Sequence, residues 1–150
     1  MEVFLFKVAL DSTRSIYRNI EMLGSDTLDD LHEMIFRAFN RYDEHLYSFF
    51  LTRKAVASPN ARSRFPEFMS PNMDRDDLPF RYSEKYDASS VQIDQLDLKE
   101  KDKFYYLFDY GDCWWHEITL LSVVDLPKTS GYPKIVKKVG PSPDQYDYEE

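Results

Sequence analysis

The apolar positions of this chain fall into two periods. Over residues 3–10 they alternate. Phe4, Phe6 and Val8 share one face of an extended segment, and Val3, Leu5 and Ala9 share the other. Both faces are largely apolar, which predicts a central strand. Asp11-Ser12-Thr13 supplies turn chemistry. Residues 16–22 alternate again, with Ile16, Arg18 and Ile20 opposed to Tyr17 and Glu21, as in the second arm of a hairpin.

The period changes at Leu28. Leu28, Leu31, Ile35, Phe39 and Tyr42 recur at helical spacing. Ser25-Asp26-Thr27 offers N-caps, and Asp29 and Asp30 suit the positive end of the helix dipole. This predicts a helix over residues 28–40 and a strand over 46–52. From 53 to 90 neither period survives, and Pro59, Pro66, Pro71 and Pro79 interrupt the stretch. One long irregular loop is expected there, pinned by Phe65, Phe68, Phe80 and Tyr82, with an exposed mobile span at 58–63. Residues 91–98 carry a short apolar pattern. Residues 104–110 and 114–124 read as strands joined by a two-residue Gly111-Asp112 turn. A short segment at 135–139 follows, and the acidic tail 141–150 is expected to fray.

Hairpins around one helix give an α+β fold: a mixed, mostly antiparallel sheet with a helix packed on one face, β-grasp-like in arrangement. One domain over residues 1–150 is expected. Its aromatic share, 16%, is high enough to fill a core.

Charge narrows the partners. A net charge of −8 opposes the phosphate backbone, so nucleic acid is disfavoured. Two basic segments, Arg53-Lys54-Arg62-Arg64 and Lys134-Lys137-Lys138, read as solvated surface. The single cysteine, Cys113, excludes an intrachain disulfide and a Cys-rich zinc site. Residues 1–10 lack the length of a signal peptide or membrane span, so a cytoplasmic location and no membrane partner are expected.

Candidate chemistry is densest between Tyr106 and Glu117. Across a two-residue turn, Asp109 faces Trp114, and alternation puts Asp109, Trp114 and His116 on one side of the sheet. A carboxylate diagonal to an imidazole raises its pKa and fixes its tautomer, as for a general base or a metal ligand. The other histidines, His32 and His45, fall on the helix flank and just beyond the helix. If all converge near Asp109, zinc or non-haem iron would suit them. The competing reading makes Asp109 an acceptor of turn amides beside Gly111 and Asp112, and His116 a satisfied core residue. That structural reading is the expected one, with no metal and no cofactor. The chain has no P-loop, GxGxxG, GxSxG or HExxH motif.

The same residues carry a family resemblance. Tyr17-Arg18-Asn19-Ile20, then Thr27-Leu28 with Leu31-His32, then Tyr42 with His45-Leu46, follow one another in order. The longest run extends from Tyr106 through Asp109, Gly111-Asp112 and Trp114 to His116. Tyr132-Pro133 and then Gly140, Pro143, Gln145 and Tyr146 close the pattern. The chain thereby resembles the plasmid pRiA4b ORF-three-like proteins, whose relatives include passenger genes of transposable elements. The cysteine-rich ending of many members is absent. The resemblance implies an α+β fold and no established activity. The expected function is a non-enzymatic binding or interaction module for an unknown protein or small-molecule ligand. A metal-assisted or Asp/His hydrolase-type enzyme and a nucleic-acid-associated accessory protein are the alternatives.

Overall fold

The computed structural model describes residues 1–71, 84–127 and 130–146. Its strands are β1 (Glu2–Leu10), β2 (Tyr17–Leu23), β3 (Tyr47–Phe50), β4 (Glu67–Met69), β5 (Lys85–Asp87), β6 (Lys103–Phe108), β7 (Trp114–Asp125) and β8 (Lys134–Val139). They form one sheet in the order β5-β4-β3-β6-β7-β1-β2-β8. Every pairing is antiparallel except β4 with β5. Helix α1 (Leu28–Ala38) lies on one face, and the short helix α2 (Pro59–Arg62) follows β3. The expected α+β arrangement is therefore present, in a sheet wider than a β-grasp core.

β1 is central, as its two apolar faces require, and pairs with β7 and β2. On the helix side, Phe4, Phe6 and Val8 join Ile20, Phe104, Tyr106, Phe108 and Ile118 in one buried cluster with Leu28, Leu31 and Ile35 of α1. Thr27 caps α1 through a capping box with Asp30: Asp30 N–H donates to Thr27 Oγ1 (3.1 Å), and Thr27 N–H donates to Asp30 Oδ2 (2.9 Å). Arg18, buried on β2, closes the other end, donating Nε–H to the Ala38 carbonyl at 2.9 Å and stacking 4.8 Å from the Phe39 ring centroid.

The stretch 53–90 is not irregular throughout. It contains α2, β4 and β5, and two of its expected pins, Phe80 and Tyr82, fall outside the described residues. The span 58–63, expected to be exposed, holds a fully buried arginine. Arg62 covers the sheet face opposite α1, its guanidinium 3.8 Å from the Tyr105 ring centroid and 4.9 Å from that of Trp115. Its Nη groups donate to both Asp11 carboxylate oxygens (2.9 and 3.2 Å), and its Nε donates to the Val56 carbonyl (2.7 Å). Burial alone would raise the Asp11 pKa, but the hydrogen bonds and charges of Arg62 and Arg14 hold it below the usual range. Deleting 58–63 would therefore remove a core group.

The tail is corrected in the same way. Gly140 adopts φ +82°, and a Cβ there would lie 2.8 Å from Ile16 Cγ1, so only glycine fits. Gln145, 4% exposed, is pinned to the α1–β3 connection. It accepts from the Tyr42 and Asp43 amides (3.0 and 3.1 Å) and donates to the Asp43 carbonyl (2.7 Å). Residues 147–150 lie outside the described residues.

Candidate functional site

The β6–β7 connection is longer than a two-residue turn. Phe108 pairs with Trp114 and Tyr106 with His116, leaving residues 109–113 as the loop. The positive φ values belong to Asp109 (64°) and Cys113 (55°), not to Gly111. Asp109 thus sits outside the ladder, and the expected diagonal with His116 does not form. Its Oδ1 instead accepts the amides of Gly111 (3.0 Å) and Asp112 (3.3 Å), the turn role anticipated from its neighbours. We expect Asp109→Ala to lower stability by about 1–3 kcal/mol by orphaning these amides, and Asp109→Asn to cost less. Asn keeps the acceptor and tolerates positive φ. Urea denaturation midpoints of the two variants measure the difference, and equal midpoints would contradict the turn role.

The histidines occupy separate places. His116 is fully buried. Arg41 Nη2 donates to its Nε2 at 2.8 Å, so the neutral ring donates from Nδ1 to the Tyr106 carbonyl at 3.2 Å. Burial, then the Arg41 charge, pushes its pKa well down. His32, also buried, stacks on Tyr47 (3.9 Å between centroids). Its Nδ1 lies 2.5 Å from Tyr106 Oη and its Nε2 lies 3.2 Å from Glu44 Oε2. Burial, then Arg41, pushes its pKa down to about 3. His45 is partly exposed. It is the histidine that meets Asp109, Nε2 to Oδ2 at 3.5 Å, and it also lies 2.5 Å from Tyr146 Oη, which donates to Asp43. The Asp43 bond pushes the Tyr146 pKa up to about 12, so this phenol is neutral at physiological pH. The three histidines therefore do not converge on a common opening.

Sequence reasoning passed over Arg41. It is 8% exposed, ringed by Phe39, Phe108 and Trp114 at 4.9–5.6 Å, and burial pushes its pKa down to about 10. One of its Nη groups has no partner, and neither does the buried indole N–H of Trp114. A lone Arg after a helix carries no periodic signal. Gln145 and Tyr146 were visible only as the closing part of the family pattern.

Above Trp114 lies an open cleft of about 480 Å³, lined by Ser12, Asp112, Cys113, Trp114, Pro143, Asp144 and Gln145. A second hollow of about 170 Å³ continues from it over Asp11 and Trp115. Elsewhere, one group among the described residues brings three candidate metal-donor atoms within 4.8 Å of one another: His32, Glu33 and Glu44. No helix among the described residues is long and apolar enough to cross a membrane.

The profile of the Plasmid pRiA4b ORF-3-like protein family matches residues 2–145. The chain belongs to this family. Among curated proteins none matches. A solved structure is similar: MM3350 from Methanosarcina mazei Go1, a protein of unknown function. It shares 19% identity at a TM-score of 0.69, over 96% of this chain and 72% of that one. At this identity the likeness supports the fold. Gln145, the last residue of the match, lines the cleft and ties the C-terminal segment to the α1–β3 connection.

Proposed function

We propose that the protein is a binding module whose cleft beside Trp114 takes a small polar ligand carrying a cationic group, a short basic peptide or an amine. The observation that carries this reading is the cleft's lining. Two carboxylates, Asp112 and Asp144, line the cleft beside the Trp114 side chain, and no Lys or Arg is among the described lining residues. The volume lies within the range of ligand sites. An indole face attracts a cation, and the carboxylates add charge. Binding is favoured over hydrolysis because no histidine is among the described lining residues and the groups that would make an Asp/His pair are held elsewhere. Cys113 donates to the Tyr110 carbonyl, His116 is sealed in the core, and Asp109 is held by the turn. The nucleic-acid alternative is weakened in its first basic segment, where Arg62 is buried and Arg53 donates to the Leu96 and Asp97 carbonyls while Lys54 and Arg64 stay exposed.

Calorimetric titration with Lys- and Arg-containing tripeptides, against acidic tripeptides of equal length, tests this reading. Basic peptides should bind, quench tryptophan fluorescence, and lose about tenfold in affinity with Asp112→Asn/Asp144→Asn. Silence from the basic set, or equal binding of the acidic set, would refute the reading.

A further inference from the structure

We propose that His32 Nε2 and the carboxylates of Glu33 and Glu44 form a binding site for a divalent transition-metal ion, zinc or manganese, at the outer flank of α1. This site is separate from the cleft and does not depend on a ligand there.

Geometry is the first argument. Nε2 lies 3.2 Å from Glu44 Oε2 and 3.8 Å from Glu33 Oε1, and all three donor atoms fall within 4.8 Å of one another. Ligands held about 2.0–2.2 Å from one ion lie roughly 3–4 Å apart, so small rotations of two glutamates close the set. Both glutamates are about half exposed at their side chains (49% and 57%), so they are free to make that adjustment.

The imidazole, by contrast, is fixed in advance. His32 is 2% exposed, stacked on Tyr47 at an interplanar angle of 9°, and held at Nδ1 by Tyr106 Oη. Tyr47 in turn donates to Asp29 Oδ1 at 2.5 Å. Metal-bound histidines have their second ring nitrogen engaged in this way, which sets the ring's orientation. A metal on Nε2 leaves the ring proton on Nδ1, directed at Tyr106 Oη. Only the ring edge bearing Nε2 faces the carboxylates.

Charge is a further argument. Among the described residues, Glu33 and Glu44 meet no basic side chain but the neutral His32 ring (3.8 and 3.2 Å), and Asp29 adds a third carboxylate whose charge is felt at Glu44. His32 is neutral inside the core, and a single partly exposed imidazole, His45, acts on Glu44 in the favourable sense, so the three acids lack full charge compensation. A divalent ion would supply it. Imidazole with two carboxylates suits zinc or manganese better than the all-oxygen preference of calcium. Three protein donors leave further positions for water or a ligand.

The 150-residue chain, stripped with EDTA, should be titrated calorimetrically with Zn²⁺, Mn²⁺ and Ca²⁺, with Co²⁺ absorption as an optical probe. One Zn²⁺ or Mn²⁺ per chain is expected, with Ca²⁺ weaker. Glu33→Gln/Glu44→Gln should lose about tenfold or more in affinity, and His32→Gln should remove the nitrogen-dependent Co²⁺ band. His45→Ala and Cys113→Ser should bind as the parent does. Because His32 is a core residue, the exposed Glu33→Gln/Glu44→Gln variant, checked by thermal melting, keeps the test independent of folding. No saturable Zn²⁺ or Mn²⁺ binding, binding that survives the double variant, or binding abolished by His45→Ala or Cys113→Ser would overturn the proposal. Failure here leaves the cleft reading intact, since the peptide titration is run without metal.

Discussion

Arg62→Ala is expected to lower the stability by about 3–5 kcal/mol, the range for breaking a buried ion pair from one side. Arg62 is fully buried, and three separate interactions depend on it. Its fork holds both Asp11 oxygens, its Nε satisfies the Val56 carbonyl, and its plane covers Tyr105 and Trp115. Alanine leaves the carbonyl unpaired and opens space between two rings. Arg14, which also reaches Asp11 at 2.9 Å, keeps that carboxylate partly compensated and places the effect toward the lower end. The neighbouring Arg64 is exposed, so Arg64→Ala should stay within about 0.5 kcal/mol of the parent. Urea denaturation of both variants gives the comparison. Equal midpoints would mean that Arg62 does not occupy the core.

The second large effect is a loss of stability on mild acidification. His32 and His116 are held neutral in the fold, by burial first and by the Arg41 charge second. In the unfolded chain both regain an ordinary pKa near 6.5 and take up protons. A folded pKa below the unfolded one means the contribution is present above pH 6.5 and is lost as the pH falls toward the folded value. For His32 that window runs from about 6.5 down to about 3. Between pH 7 and pH 5 the linkage for His32 amounts to about 2 kcal/mol, and His116 adds a loss of the same sign. The groups around the pair are Arg41, Tyr106, Glu33 and Glu44. Glu44 and Asp26, whose pKa values are raised chiefly by burial, act in the opposite sense at the lower end of the window. Thermal melts of EDTA-treated protein should fall steeply from pH 7 to pH 5, and His116→Asn should flatten the slope. A flat profile would show that these rings are not sealed in the core.

The elements whose residues repeat with a clear period were legible from the chain. α1 begins at Leu28 behind the Thr27 cap, and β1 lies mid-sheet with Phe4, Phe6 and Val8 facing the helix. The role of Asp109 was also legible, because an acid just before Gly and Asp finds amides within its own turn. The partner of Asp109 was not. A loop of residues 109–113 in place of a two-residue turn moved the ladder by one position. In a sheet of period 2, one position exchanges the faces, so the expected His116 went to the core and His45 came to the carboxylate.

What the sequence by itself determined is the α+β class, the central hairpin, the capped helix and the aromatic core. Each is written in a local period or a local turn preference, and hydrophobic burial acts on that period directly. Only the tertiary structure decided which polar groups are inside. Arg62 read as solvated surface, Gln145 as part of a fraying tail, and Arg41 carried no signal, yet each is buried against partners far along the chain: Arg41 by His116, Arg62 by Asp11, and Gln145 by the amides of Tyr42 and Asp43. A charged or amide side chain enters a core only where several distant acceptors, donors and ring faces coincide. That coincidence is set by strand register and loop length and leaves no periodic trace at the residue itself.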